Sequence, residues 1–353
     1  MTRGAILSLA FTLALGGVGG LAAAQLHLPL ALLLGALLTT GTAAALDWRP
    51  MGRQVILPLT LRQAFVPVIG VSIGGAFTPE VAGQALRWWP SHLALLVFLP
   101  LLHAIGYAIY RKGGLPRTDS FFGAAPGGLI ETVQMGEEAG GDARLMTVLQ
   151  FLRLILTIIA VPLIFAVLTG GAVGSASGVT LPAAHVALTP VEVGFLIAIG
   201  AAGVLVGRIL RFPAYIMTGP ILFSAVAHGA GLVHGVPPAW LVGLTQVVVV
   251  GCGLGARFSG VDHRLLLRAI RLASLNAVVA LVVTFGFAAA LAPWVGEPMA
   301  AVFLAYAPGG LAEMSLVALS LNMSVVYVTV HHILRIVLSV FAARLGGRLL
   351  RRT

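Results

Sequence analysis

A succession of apolar segments, each close to the length of a bilayer crossing, constrains this chain more than any other feature. Ten run over residues 5–25, 29–46, 55–77, 91–110, 144–168, 191–210, 212–230, 238–258, 272–293 and 324–343. A helix needs about 20 residues to cross the hydrocarbon core, and only helices and closed barrels satisfy their own backbone there. Hydrophobic residues make up 59% of the chain and charged ones 9%, whereas soluble domains hold roughly 45–50% apolar residues. The expected fold is an all-α polytopic membrane protein. No polar connection is long enough for a soluble domain, so the function must lie within the membrane.

Two further apolar segments, 119–138 and 299–321, are each interrupted by Pro-Gly-Gly. They belong to an internal duplication. APGGLIETVQMGEEAGGDARLMTVLQFLRL (125–154) aligns without gaps to APGGLAEMSLVALSLNMSVVYVTVHHILRI (307–336), with ten identities in 30 positions at a constant offset of 182. Upstream, Gly16, Gly19 and Leu21 match Gly200, Gly203 and Leu205, Pro29 and Gly35 match Pro213 and Gly219, and GVSIGGAF (70–77) matches GCGLGARF (251–258). The opening residues have a signal-like outline ending in A-x-A at Ala24, but a cleaved leader has no reason to resemble an internal helix, so the segment is expected to stay. The copies are 1–169 and 190–353, joined by a Gly-, Ser-, Ala- and Pro-rich linker at 170–189.

Basic residues set the orientation of the copies, because cytoplasmic loops are rich in Lys and Arg. In the first copy they follow even-numbered segments (Arg49, Arg53; Arg111, Lys112, Arg117), and in the second odd-numbered ones (Arg208, Arg211; Arg257, Arg264, Arg268, Arg271). The repeats therefore read as inverted. Inversion requires an odd number of crossings per copy, which gives about ten spans plus two re-entrant Pro-Gly-Gly segments. Both termini are then cytoplasmic, and 17 of the 21 basic residues are on that side; twelve simple spans leave eight outside. A crossing helix broken at its middle remains the alternative setting for each motif.

The candidate site residues are Pro126, Gly127, Gly128, Glu131 and Arg153, and their counterparts Pro308, Gly309, Gly310, Glu313 and Arg335. Proline removes a backbone donor and glycine permits a sharp turn, so one helix ends at each motif and another starts near Leu129 or Leu311. A broken helix presents backbone N–H groups and the positive end of a dipole to a polar or anionic solute. A carboxylate in the first turn gains roughly 0.3–1 kcal/mol from that dipole, yet an ionised group at membrane depth costs roughly 2.5–3.5 kcal/mol. Each glutamate therefore requires a partner, a bound cation or a proton, and the arginines are the natural partners of the glutamates or of an anionic substrate. Salt bridges without transport chemistry are the plainer account. His331 and His332 stand where the first copy has Leu149 and Gln150; they could relay protons, but histidines present in one copy alone more often satisfy local hydrogen bonds. The close glycines of GVSIGGAF and GCGLGARF suit helix packing.

Other classes of function find little in the sequence. Cys252 is the single cysteine, so neither a disulfide nor a thiolate metal site is available. The net charge of +10 is spread over short loops and the tail RLGGRLLRRT, which suits orientation in a bilayer better than nucleic acid. No nucleophile with a base, metal-ligand cluster or phosphate loop is present, so neither an enzyme nor a cofactor is expected.

The paired PGGL-x-E stretches, each followed by an apolar span with an arginine, and the duplication over nearly the whole chain resemble the AbrB family of bacterial inner-membrane proteins. That family carries names such as regulator and ammonia monooxygenase, and it is distantly similar to cation-proton antiporter and anion-transporter folds. The resemblance implies a multi-pass protein of the bacterial inner membrane, with the lipid bilayer as its surroundings and a homo-oligomer as a possible assembly. Two functions are expected from residues and resemblance together. The first is a secondary transporter of a small anionic or polar solute, coupled to protons or cations. The other is a membrane-embedded sensor or regulator acting on gene expression indirectly. An ammonia-oxidising enzyme is a distant third.

Overall fold

The computed structural model describes residues 3–169, 188–321 and 323–350, and all regular structure among them is helical. Helices α1 (Arg3–Gln25), α2 (Ala31–Ala45), α3 (Leu59–Gly74), α4 (Pro79–Ala85) and α5 (Trp89–Lys112) lead to the first break, which is flanked by α6 (Arg117–Gly123) and α7 (Leu129–Glu138). Helix α8 (Ala143–Thr169) follows. Next come α9 (Pro190–Ile209), α10 (Tyr215–Gly229) and α11 (Ala239–Thr245), which continues through a π-helical stretch, Gln246–Cys252, into α12 (Gly253–Gly255). After α13 (His263–Val295), the second break lies between α14 (Met299–Tyr306) and α15 (Leu311–Ser320), and α16 (Val325–Leu350) ends the described chain.

All ten expected segments are helical, but they are not equally long. Seven helical runs have the length and apolarity to cross a bilayer: α1, α5, α8, α9, α11–α12, α13 and α16. Helices α2, α3 and α10 hold only 15, 16 and 15 residues, about 23 Å at 1.5 Å per residue, short of the roughly 30 Å core. Proline trims each of them at its start. Leu30 (φ 47°) after Pro29 and Ala214 (φ 50°) after Pro213 are left-handed and lead into α2 and α10, and α3 begins only after Pro58. Large apolar side chains stay exposed on the long helices, among them Leu21, Ile197, Val278 and Phe285, each more than half accessible. Such surfaces require lipid. The chain is a multi-pass membrane protein.

The described residues form two compact units, and neither coincides with one half of the chain. The first takes Met1–Gly83, Pro162–Val261 and Ser315–Val326. Within it α1 and α2 cross backbone to backbone, so that a Cβ on Gly35 would fall on the Gly19 carbonyl; α9 and α10 do the same, with Gly219 against the Gly203 carbonyl. Only glycine permits such an approach. Gly70 packs on α10, where a Cβ would lie 2.9 Å from the Met217 carbonyl, and the Ser224 hydroxyl donates to the Val71 carbonyl at 2.7 Å. Gly251 lies against Ala36, and the Thr40 hydroxyl is 3.2 Å from the Gly251 carbonyl. The paired glycine stretches thus serve helix packing, as their spacing suggests.

The second unit takes Gln84–Val161, Asp262–Met314 and Tyr327–Thr353, and it holds both breaks. Here α13 starts nine residues before the apolar segment that announced it. The Asp262 carboxylate accepts from the N–H groups of Arg264 and Leu265, both at 3.0 Å, and caps the helix. Arg264, Arg268 and Arg271, expected in a loop, therefore lie on the first turns of α13. Arg268 reaches the carbonyls of Gly113 and Gly114, each at 3.0 Å, just past the end of α5.

Candidate functional site

At the first break, α6 ends with Ala124 as its C-cap, Pro126 offers no donor, and Gly128 turns left-handed (φ 65°) to cap α7, which begins at Leu129. At the second, Ala307 is extended after α14 (φ −55°, ψ 137°), the Gly309 N–H returns to the Ala307 carbonyl at 2.7 Å, and α15 begins at Leu311. Both helix starts are where the two motifs place them. The two turns differ: the first uses a left-handed glycine and the second a tight turn across Pro308.

The last carbonyls of a helix lack intrahelical donors, and a proline just beyond supplies none. Arginine fills this need at both breaks. Arg153 on α8 donates to the carbonyls of Ala124 (3.1 Å) and Ala125 (2.7 Å). Arg335 on α16 donates to those of Ala307 and Gly309 and to His332 Nδ1 (2.8 Å). Ala125 and Ala307 are themselves 182 residues apart, like the arginines. A guanidinium at a helix C-terminus also complements the dipole. Both arginines are buried, at 7% and 2% exposure, and the Nε of each has no partner.

The bonds described for these arginines go to carbonyls and a ring nitrogen, where the sequence suggests the glutamates or an anionic substrate as partners. Glu131 and Glu313 occupy the first turns of α7 and α15, at the opposite helix pole, and each carboxylate folds back on the glycine preceding its helix. A Glu131 oxygen lies 3.6 Å from where a Cβ on Gly128 would sit, and the Glu313 carboxylate touches Gly310. Glu131 is half-buried and Glu313 is 4% exposed. The reason for the separation is polarity: the broken helix has a negative end and a positive end a few residues apart, and each attracts its own counter-charge.

Around these charges the two breaks carry matching polar supports. Gln150 donates to the Phe122 carbonyl at 2.8 Å, and His332, its counterpart, to the Leu304 carbonyl at 3.0 Å. Since Arg335 can only donate to His332 Nδ1, that ring carries its proton on Nε2 and is neutral. Gln150 Nε2 also donates to the Thr132 hydroxyl at 2.9 Å, while its Oε1 is buried without a partner. Helix α16 lies directly on the first break: a Cβ on Gly127 would stand 3.1 Å from Ser339 Oγ and 3.5 Å from the Arg335 carbonyl. Arg335 therefore bounds the first break with its backbone and the second with its side chain. The ten candidate residues all lie at or against the two breaks, while Gln150, Thr132 and Ser339 are not marked in the sequence, because their contacts depend on which groups the fold brings to them. Among the described residues no group of three or more His, Cys, Asp or Glu is placed to hold a metal ion.

A family model described as "Transition state regulatory protein AbrB" matches residues 44–351. A relative from Escherichia coli (strain K12), described as "Putative regulator AbrB", is 29% identical over 319 residues, covering 88% of this chain and 87% of its own. Another from Bacillus subtilis (strain 168), "Uncharacterized protein YhjN", is 25% identical over 287 residues, covering 77% of this chain and 73% of its own.

Proposed function

The chain belongs to the AbrB family of membrane proteins, and from its two broken helices we propose that it is a secondary transporter built on two inverted repeats, carrying a small anionic or polar solute with protons or cations. The carrying observation is the pair of buried breaks, each with an arginine on the carbonyl end and a glutamate on the N–H end. Irregular backbone at membrane depth is tolerated where it is buried in protein or lines a cavity, and transporters place solute and ion sites at such breaks. An anion would meet the N–H groups and the orphan guanidinium nitrogens, and a cation or proton the glutamates.

Repetition is supported by more than the alignment. The glycine crossings of α1 with α2 and α9 with α10, the left-handed entries at Leu30 and Ala214, and the arginine-to-carbonyl contacts all recur at matching positions. Moreover, α3 packs on α10 while α12 packs on α2, the reciprocal exchange expected of two copies about a pseudo-two-fold axis. In this reading the protein sits in a bacterial inner membrane with both termini cytoplasmic.

The test is solute flux into proteoliposomes under an imposed proton or cation gradient, with Glu131→Gln and Glu313→Gln beside the wild type. Coupling glutamates predict normal insertion with loss of gradient-driven uptake. Glutamates that serve only as helix caps predict uptake near wild type and a stability loss of about 1 kcal/mol or less. A sensor, the reading favoured by the regulator description of the E. coli relative, would bind solute without flux.

A further inference from the structure

Histidine 331 lies wholly buried in a cluster drawn from three helices of the second unit. Its Nδ1 is 2.8 Å from the Tyr327 carbonyl, one turn back on α16, and its Nε2 is 2.7 Å from the Ser91 hydroxyl on α5. The His92 ring lies against it with centroids 4.5 Å apart at 30°, and the Tyr327 and Tyr306 rings stand at 4.1 and 5.9 Å. The Tyr306 hydroxyl, from α14, donates to the Ser91 carbonyl. His92 Nε2 is buried without a partner, and the Tyr327 hydroxyl lies beside Ser91.

The protons in this cluster can be counted. A carbonyl only accepts, so Nδ1 of His331 must carry a hydrogen toward Tyr327. In a neutral ring Nε2 is then an acceptor and needs the single hydrogen of the Ser91 hydroxyl. That hydroxyl is also 2.8 Å from the Trp88 carbonyl, which only accepts and takes the His92 N–H at 3.1 Å as well. One hydrogen cannot lie in both short contacts of Ser91. With a second proton on the ring each contact holds its own: Nδ1–H to Tyr327, Nε2–H to Ser91, and Ser91 O–H to Trp88. Two tyrosine faces are also well placed to hold an imidazolium.

We infer that His331, with Ser91 and His92, forms a proton-binding site in the second unit, and that its occupancy controls the grip of Arg335 on the second break. The link is positional. His331 and Arg335 are four residues apart on α16, where like charges repel, so a proton on His331 weakens the contacts of Arg335 with Ala307 and Gly309. The other titratable and charged groups around His331 are His92 on α5, Tyr306 on α14, Tyr327, His332 and Arg335 on its own helix, and Glu297, whose charge acts at Tyr327. The first copy has Leu149 in place of His331, so the control is one-sided. The use of the proton for coupling rests on the transport reading; the site itself does not.

The experiment is a pH titration of the full-length protein in detergent micelles by NMR, with ring-labelled histidines, nine in all. The resonance absent from His331→Gln identifies the ring, and exposed His27 serves as the control through His27→Gln. The ring should take up a second proton on acidification, and Ser91→Ala, which keeps the ring and removes its Nε2 partner, should lower the midpoint by about one pH unit. If the ring stays neutral down to about pH 4.5, two units below an ordinary histidine, or if Ser91→Ala leaves the midpoint in place, the site is overturned. In proteoliposomes, loss of proton-driven accumulation in His331→Gln with solute counterflow retained supports the coupling role, and accumulation that survives overturns it. No solute movement by the wild type overturns the transport reading and with it that role, while the titration decides the proton site by itself.

Discussion

Replacing either arginine of the breaks by lysine isolates what the fork geometry contributes. Arg153→Lys and Arg335→Lys keep a buried positive charge, so the cost of desolvating a cation largely cancels between wild type and variant. What changes is reach. A guanidinium spans two separate carbonyls at once, whereas an ammonium is a point donor and keeps one. Arg153→Lys should lose one of the bonds to Ala124 and Ala125. A hydrogen bond to a charged group contributes about 1.5–3 kcal/mol, which sets the expected loss. Arg335→Lys should lose one of its bonds to Ala307 and Gly309 together with the bond to His332 Nδ1. Its loss should be larger, about 3–6 kcal/mol on the same scale. Equilibrium unfolding in mixed detergent micelles, followed by tryptophan fluorescence, measures both. Losses below about 0.5 kcal/mol in both variants would refute the view that the forks seal the breaks, because a lost charge-assisted bond should cost more than that.

Alanine at Gly35 or Gly219 should destabilise by about 1–3 kcal/mol, the usual range for overpacking, because its Cβ meets a facing backbone carbonyl; Gly17→Ala, with open space around it, should be close to neutral in the same unfolding assay. Cysteines at Ala125 and Ala307 should form a disulfide on oxidation if both breaks meet around Arg335, and no crosslink under any oxidant would count against one shared site. The expected external placement of the linker concerns Ser177, outside the described residues, and in a Cys252→Ala background an impermeant thiol reagent should label a cysteine there from the periplasmic side only.

The helices were legible because their apolar runs are long and the punctuation is strong: α7 and α15 start at Leu129 and Leu311, as the Pro-Gly-Gly motifs imply. Less legible was anything decided by a cap or a turn. The basic stretch HRLLLRAIR read as loop because its charges mask an amphipathic pattern, and Asp262 extends α13 through it. Residues 55–77 overran α3 at both ends, into Pro58 and into the turn at Gly75, Ala76 and Phe77. At the breaks, charge type drew attention to the two arginines, whose bonds go to carbonyls that no sequence pattern names. The shared offset of glutamate and arginine in the two copies suggested salt bridges, but a helix that ends before a proline leaves carbonyls in need of a donor, and at the first break Arg153 supplies it to Ala124 and Ala125. His331 has no counterpart in the first copy, and its neighbours Ser91 and Tyr306 lie 240 and 25 residues away, beyond any local pattern.

The two copies differ in the side chains that support each break. Gln150 holds the first with a side chain that has no proton to gain, bonded to Phe122 and Thr132. At the corresponding place the second has His332, and Met314 stands where Thr132 would be, so Arg335 is supported there by a neutral imidazole. If His332 were protonated on Nδ1 it would turn from acceptor into a like charge facing Arg335, and the guanidinium would lose its one side-chain contact. The observable consequence is local. Amide hydrogen exchange on acidification should accelerate over residues 307–314 and not over 125–132, and equal acceleration in both stretches would remove the asymmetry on which this argument depends.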